Sequence, residues 1–163
     1  IDLKQRISSM KNKLVKIPLI VTIAIFLCFA NYSLTEAKSE IYKNWSGLAI
    51  KGYDPVAYYK IEKPVEGSSQ YELKWKDATW RFASEEHRDL FKANPEIYAP
   101  RYGGYCAWAV AQGYTASVDP KNAWSIVEGK LYLNYDIKVK NRWEKDIPGN
   151  IEKADANWPG VLQ

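Results

Sequence analysis

An apolar segment near the N-terminus divides this 163-residue chain into two parts with different tasks. Residues 17–30 are almost entirely apolar, and Lys11, Lys13 and Lys16 precede them. A span of 14 residues is shorter than the roughly 20 that cross a bilayer comfortably. A basic region followed by a short apolar one is typical of a secretory signal. We therefore expect the folded domain to lie after this segment, in residues 38–163.

Small residues predict where the signal is removed. Ala37 and Ala30 each end a stretch that suits a signal peptidase, so cleavage is expected after one of them. Residues 1–37 are interpreted as a signal peptide, and residues 1–9, which precede the single methionine, as an upstream extension. The protein is predicted to be exported to the periplasm or the medium. If the signal is retained, this segment anchors the chain and is its one expected membrane contact.

Charge argues against nucleic acid as a partner. The chain has 23 basic and 19 acidic residues, but five of the basic and two of the acidic ones lie in residues 1–37. The predicted domain therefore keeps 18 basic and 17 acidic residues and is nearly neutral. Binding to nucleic acid depends on the neutralisation of phosphates by a basic surface. Nothing in the composition of the domain provides one.

The predicted domain must fold without a disulfide. Cys28 lies in the apolar segment, so Cys106 is the one cysteine expected in the exported protein. The domain compensates with aromatic residues, because all seven tryptophans and eleven of the twelve tyrosines follow residue 37. These side chains supply enough apolar surface for a core and exclude a disordered chain.

Two β-hairpins and a few helices are predicted. Alternating apolar and polar residues indicate paired strands at 71–75 with 79–82, and at 123–127 with 130–134. Ser84 and Asp136 are typical helix N-caps, and predict helices over about 84–94 and 136–146, with a short helical piece at 151–157. The apolar residues 105–111 fit a helix or a buried strand equally well. Because strands and helices are segregated along the chain, we expect a small α+β domain with two hairpins and about three short helices.

Residues 52–98 resemble a YHS domain. The resemblance depends on Asp54-Pro-Val, on a hairpin that ends at an aromatic residue followed by Phe82 and Ser84, and on a helix closed by Phe91, Pro95 and Tyr98. The sequence Tyr102-Gly-Gly-Tyr-Cys-Ala-Trp and the residues from Asp146 to Trp158 extend the similarity, over about residues 47–160, to exported bacterial YHS proteins. The resemblance implies a core in which a hairpin is followed by a helix, and it implies no particular activity.

Metal-binding members of this family use cysteines that are absent here. Ala57 and Ala83 stand at two such positions, and His87 stands at the third. A zinc or copper site would need different ligands, for which His87 and Cys106 are the candidates, with Asp54 as an oxygen donor near the helix in the fold that the resemblance implies. This hypothesis predicts that His87 and Cys106 converge on one pocket.

Two alternatives stay open beside a metal-binding protein. Cys106 and His87 are the minimum for a thiol enzyme, although no motif fixes a third catalytic residue. The other alternative is a binding module without metal, in which Tyr102, Tyr105 and Trp108 form one wall of a cleft for a small molecule or a protein. A protein partner is not identified by the sequence. A non-enzymatic binding protein is the leading interpretation.

Overall fold

A computed structural model of the protein describes residues 37–163, so the predicted signal segment lies outside the described residues. The predicted α+β class is confirmed, and both predicted hairpins form. Strand β1 (Ser68–Trp75) pairs antiparallel with β2 (Ala78–Phe82), and β3 (Trp124–Val127) pairs antiparallel with β4 (Lys130–Leu133). The two hairpins are separate two-stranded sheets.

Six α-helices within residues 37–163 surround the hairpins, rather than the three or so that were expected. They are α1 (Ala57–Lys60), α2 (Glu85–Ala93), α3 (Pro95–Tyr98), α4 (Ala107–Ala111), α5 (Ile137–Trp143) and α6 (Ile147–Asn157). Short 3-10 turns occur at Ile50–Gly52, Arg101–Gly104, Glu144–Asp146 and Gly160–Leu162. The apolar segment 105–111, which fitted a helix or a buried strand equally well, thus forms helix α4 over Ala107–Ala111.

Side-chain caps fix where α2 and α5 begin. The Ser84 hydroxyl accepts a hydrogen bond from the backbone N–H of His87 at 3.1 Å, which starts α2. In the same way Asp136 Oδ1 accepts from the N–H of Val139 at 2.8 Å and starts α5. Each cap satisfies one of the N–H groups that a helix leaves unpaired in its first turn.

The C-terminal helices differ from the prediction. We expected one helix to run to about residue 146 and to be ended by Pro148 and Gly149. Helix α5 ends at Trp143, and α6 contains Pro148 in its first turn, where a proline costs no hydrogen bond. Asp146 makes this possible, because its Oδ1 accepts from the N–H of Gly149 at 3.0 Å and caps the new helix.

The first part of the core packs α2 against the first hairpin. Residues Ala78, Trp80 and Phe82 alternate inward along β2, while the residues between them are partly exposed. Phe91 on α2 is fully buried and contacts Trp80 and Phe82, with ring centroids 4.9 and 5.2 Å away. Aromatic pairs at such distances add to the free energy gained by burying their surface.

The second part of the core packs the C-terminal helix α6 against α4. Tyr102, Tyr132, Trp143 and Ala154 form a buried cluster under α4 and α6. Residues 38–43, which we call the N-terminal strap, run alongside it. The N–H of Lys38 donates to the carbonyl of Leu162 at 2.7 Å, and the N–H of Tyr42 donates to the carbonyl of Gly103 at 2.9 Å.

Candidate functional site

Asp54 is a fully buried carboxylate in the turn that opens α1. Its Oδ1 accepts hydrogen bonds from the N–H groups of Val56 at 2.8 Å and Ala57 at 3.3 Å. Its Oδ2 accepts from the N–H of Ala83, just after β2, at 2.8 Å. The side chain therefore joins the first turn of α1 to the end of the first hairpin. Buried carboxylates persist in proteins when they are hydrogen-bonded in this way.

His87 completes the set of partners around Asp54. Its Nδ1 lies 2.6 Å from Asp54 Oδ2, and its side chain is only 13% exposed. Because Asp54 already accepts from three backbone N–H groups, we assign the proton of this contact to Nδ1. The Nε2 atom is then the nitrogen with a lone pair. A carboxylate that orients an imidazole in this manner is common behind metal-bound histidines and in catalytic dyads.

Cys106 lies in a different environment. It directly precedes α4, is 1% exposed and forms an isolated β-bridge with Leu133 on β4. Its Sγ is 3.7 Å from Oδ1 of the buried Asn134. Burial raises the pKa of the Cys106 thiol, although backbone N–H groups nearby oppose the shift. The thiol is therefore held in its protonated form at neutral pH, whereas a nucleophile or metal ligand must be a thiolate.

The structure brings two of the three predicted metal ligands together and places the third elsewhere. Asp54 and His87 are bonded to each other, while the side-chain partner of Cys106 among the described residues is Asn134. Within residues 37–163, no three histidine, cysteine or acidic side chains form a group that could hold a metal ion. The described residues thus supply one oriented imidazole, where structural zinc sites use four protein ligands and catalytic ones three.

A cavity of about 300 Å³ opens beside Cys106. Three elements form it: the start of α4, the loop of residues 112–117 that follows α4, and α5 together with Tyr135 in the link from β4. The lining residues are Cys106, Trp108, Ala109, Tyr114, Ala116, Tyr135, Val139 and Arg142. His87 is not among them. A volume of 300 Å³ is at the lower end of the range for small-molecule sites, and such sites are mostly apolar with a few polar groups.

Asn134 fixes the wall of this cavity from behind. It is fully buried, and its Oδ1 accepts from the backbone N–H of Trp108 at 3.1 Å as well as from the Cys106 thiol. Its own backbone N–H donates to the carbonyl of Ala123 at 2.7 Å. One amide side chain therefore ties the end of β4 to the first turn of α4, which holds Trp108 in place.

The predicted aromatic cleft is divided between different surroundings. Tyr102 and Tyr105 are both buried. The Tyr102 hydroxyl donates to Asp155 Oδ1 at 2.9 Å, and the Tyr105 hydroxyl donates to the carbonyl of Ser39 at 2.8 Å. Burial raises the pKa of both phenols. Trp108 is half-buried and lines the cavity at Cys106. Tyr102 instead borders a separate and more polar cavity of about 110 Å³, so these three residues do not form one wall.

Sequence reasoning missed several residues that line the 300 Å³ cavity or support its wall: Asn134, Tyr114, Tyr135, Val139 and Arg142. Some signals were present in the sequence. Val139 and Arg142 are three residues apart in a predicted helix, a spacing that puts them on the same face. Asn134 is a polar residue directly after a buried strand. The sequence did not show that α5 packs across the start of α4. This packing brings the lining residues together in one site.

Comparison with known proteins returns no match: no family model, no curated protein and no solved structure is significantly similar to this chain. In the described part of the chain, every helix is too short or too polar to cross a membrane. A functional assignment therefore depends on the geometry of the site itself.

Proposed function

We propose that the protein is an exported, non-enzymatic binding protein of the YHS type, which takes up a small and largely apolar molecule in the cavity beside Cys106. The cavity is the observation that carries the proposal. Its volume of about 300 Å³ lies within the range of small-molecule sites, and its lining is mostly apolar. The YHS assignment is supported by the order of turn, hairpin and helix in residues 52–93.

The aromatic residues around the opening support a binding role. Tyr114 and Tyr135 are 51% and 54% exposed, although both are large and partly apolar. Both lie at the cavity, beside the half-buried Trp108. Exposed aromatic side chains that cluster at a concave surface are typical of sites that exclude water from a bound molecule. In a small domain that binds no ligand, burial of such rings in the core would give greater stability.

Thiol chemistry is the less favoured alternative, because the two required residues have other partners. A catalytic pair needs a hydrogen bond between the thiol and the imidazole. Cys106 instead contacts Asn134, and His87 contacts Asp54. The raised pKa of the Cys106 thiol also opposes formation of the nucleophile. We therefore assign Cys106 to the wall of the cavity.

Zinc or copper binding at His87 is a second candidate, and the 2.6 Å contact with Asp54 favours it because it leaves Nε2 as a donor. The four-ligand pattern of structural sites does not fit the described residues, since no group of three ligands forms there. Elemental analysis of protein purified without chelator tests this candidate. Stoichiometric metal that is lost in His87→Ala would support it, and absence of metal after reconstitution with zinc and with copper would overturn it.

Filling the cavity tests the main proposal. Ala116 lines the cavity and is half-buried, so Ala116→Phe places a ring in the space. The probe is trans-cinnamamide, a small planar and uncharged molecule, followed by two-dimensional NMR. We expect it to shift the amide signals of residues 106–116 and 135–142, and Ala116→Phe to weaken binding about tenfold or more, equivalent to about 1.4 kcal/mol.

The matched control is Ala93→Phe, which adds the same ring at an exposed position at the end of α2. Val139→Phe is a second filling variant, in case Ala116→Phe disturbs the fold. The proposal is wrong if cinnamamide leaves the cavity signals unchanged in the unmodified protein. It is equally wrong if folded filling variants bind the probe as well as the control does.

A further inference from the structure

Arg142 places a positive charge at the cavity. Residues 37–163 contain four arginines, and three of them pair with acids: Arg81 with Glu72, Arg88 with Glu85 and Asp89, and Arg101 with Asp155. Arg142 lines the cavity and makes no ion pair within the described residues. It is exposed at the end of α5, so its guanidinium group is available to a molecule in the cavity.

The other residues of the lining do not neutralise this charge. They are apolar, or carry hydroxyl, thiol or indole N–H groups, and none of these seven described residues is acidic. The acid that lies nearest in the chain to the cavity wall is Asp136, whose charge contributes to the raised pKa of Cys106. Its Oδ1 is occupied by the N–H of Val139, at the opposite end of α5 from Arg142. The cavity thus combines an apolar body with a single positive group.

From this arrangement, and on the basis of the proposed function, we infer that the cavity selects a small aromatic monocarboxylate. The aromatic body would occupy the space between Trp108, Val139 and the two exposed tyrosines, and the carboxylate would lie against Arg142. A guanidinium group fits this role because its parallel N–H groups match the two oxygens of a carboxylate. The same cavity would exclude cations and offer no compensation for a second negative charge.

A pair of isosteric probes tests the inference. Trans-cinnamate and trans-cinnamamide have the same planar body and differ in whether the terminal group carries a charge. We expect cinnamate to bind the protein about tenfold more tightly than cinnamamide, as measured by NMR titration at equal ionic strength. Arg142→Gln should reduce this preference to less than about twofold, because cinnamate loses its charged partner.

Lys138→Gln is the matched control, because Lys138 is an exposed cation on the same helix that does not line the cavity. It should preserve the preference for cinnamate, and Arg142→Lys should restore part of it. The inference is overturned if both probes bind equally well to the unmodified protein, or if Lys138→Gln removes the preference as completely as Arg142→Gln.

The outcomes separate this inference from the proposal on which it depends. Equal binding of both probes, abolished by Ala116→Phe, would leave the binding cavity in place and refute selection for an anion. No binding of either probe at the cavity would refute the proposed function itself. A preference for cinnamate that survives Ala116→Phe would place the anion at another surface and would also overturn the inference.

Discussion

Asp54 has a larger structural role than its side chain suggests, because four donors from three segments converge on it. Two come from the first turn of α1, one follows β2, and the fourth is the imidazole of His87 on α2. A buried N–H that loses its acceptor costs about 1–3 kcal/mol, which is more than a satisfied hydrogen bond contributes. The pair Asp54–His87 is therefore first a structural connection, whatever else His87 binds.

This connection predicts an order of destabilisation. Asp54→Asn replaces one acceptor oxygen by an amino group that faces donors, so we expect it to lower the free energy of unfolding by about 2–4 kcal/mol. His87→Ala removes one of the four donors and leaves the other three paired, so it should cost about 1–2 kcal/mol. Urea denaturation measures both values. Asp89→Asn, at an exposed position on α2, is the control and should change stability by less than about 0.5 kcal/mol. A larger loss in His87→Ala than in Asp54→Asn would contradict this account.

Among the elements, the strap and the 3-10 turn at Arg101–Gly104 depend on a close approach of two backbones. Gly103 has a φ of 60°, and a Cβ atom at this position would overlap the carbonyl group of Glu40 in the strap. The same contact lets the N–H of Tyr42 reach the carbonyl of Gly103 at 2.9 Å. The two glycines at 103 and 104 are evident in the sequence as breaks in the chain. The need for glycine at 103 is not, because the strap that approaches it lies far away in the sequence.

Gly103→Ala should therefore lower the free energy of unfolding by more than the strain of a positive φ alone explains. Gly129, in the turn between β3 and β4, has a φ of 70°, and a Cβ atom added there would meet no other described atom within 4 Å, which makes Gly129→Ala the matched control. We expect Gly129→Ala to lower the free energy of unfolding by about 1–2 kcal/mol, and Gly103→Ala to lower it by at least about 1 kcal/mol more. Amide hydrogen exchange should also show faster exchange of the Tyr42 N–H in Gly103→Ala alone. Equal effects of the two variants would show that the strap moves aside without cost.

For the molecule as a whole, local signals in the sequence predicted the hairpins and the helix after Ser84, and long-range packing decided the rest. The alternation in β2 and the Ser84 cap predicted the two elements that carry Trp80, Phe82 and Phe91, because both signals are local in the chain. The cluster of Tyr102, Tyr132 and Trp143 could not be predicted in this way, since it forms only when α6 returns to α4. The same difference between local signals and long-range packing applies to the candidate site. Asp54, which the resemblance placed near helix α2, contacts His87, whereas the surroundings of Cys106 depend on α5.

The tyrosine hydroxyls with a raised pKa predict how the stability of the whole domain responds to alkaline pH. Burial raises the pKa of Tyr58, Tyr102 and Tyr132, and it raises the pKa of Tyr59 to about 12. The unfolded chain releases these protons near pH 10, so above that pH the folded state holds more protons than the unfolded state. The corresponding stability is complete below about pH 10 and is lost as the pH rises towards 12 and beyond.

Tyr59 allows this loss to be measured one group at a time. Its hydroxyl accepts from the N–H of Leu131 at 2.9 Å, so Tyr59→Phe lowers stability at every pH, but it also removes one titrating phenol. Between about pH 10 and 12 we expect the free energy of unfolding of the unmodified protein to fall with pH, and Tyr59→Phe to reduce the slope by up to about 1.4 kcal/mol per pH unit, the value for one proton. Urea denaturation across this range, with tyrosinate absorbance recorded in parallel, gives the slopes, and Tyr114→Phe at the exposed rim of the cavity is the comparison. An unchanged slope in Tyr59→Phe would mean that this phenol ionises in the folded protein, so that the packing of α1 against β4 opens before the domain unfolds.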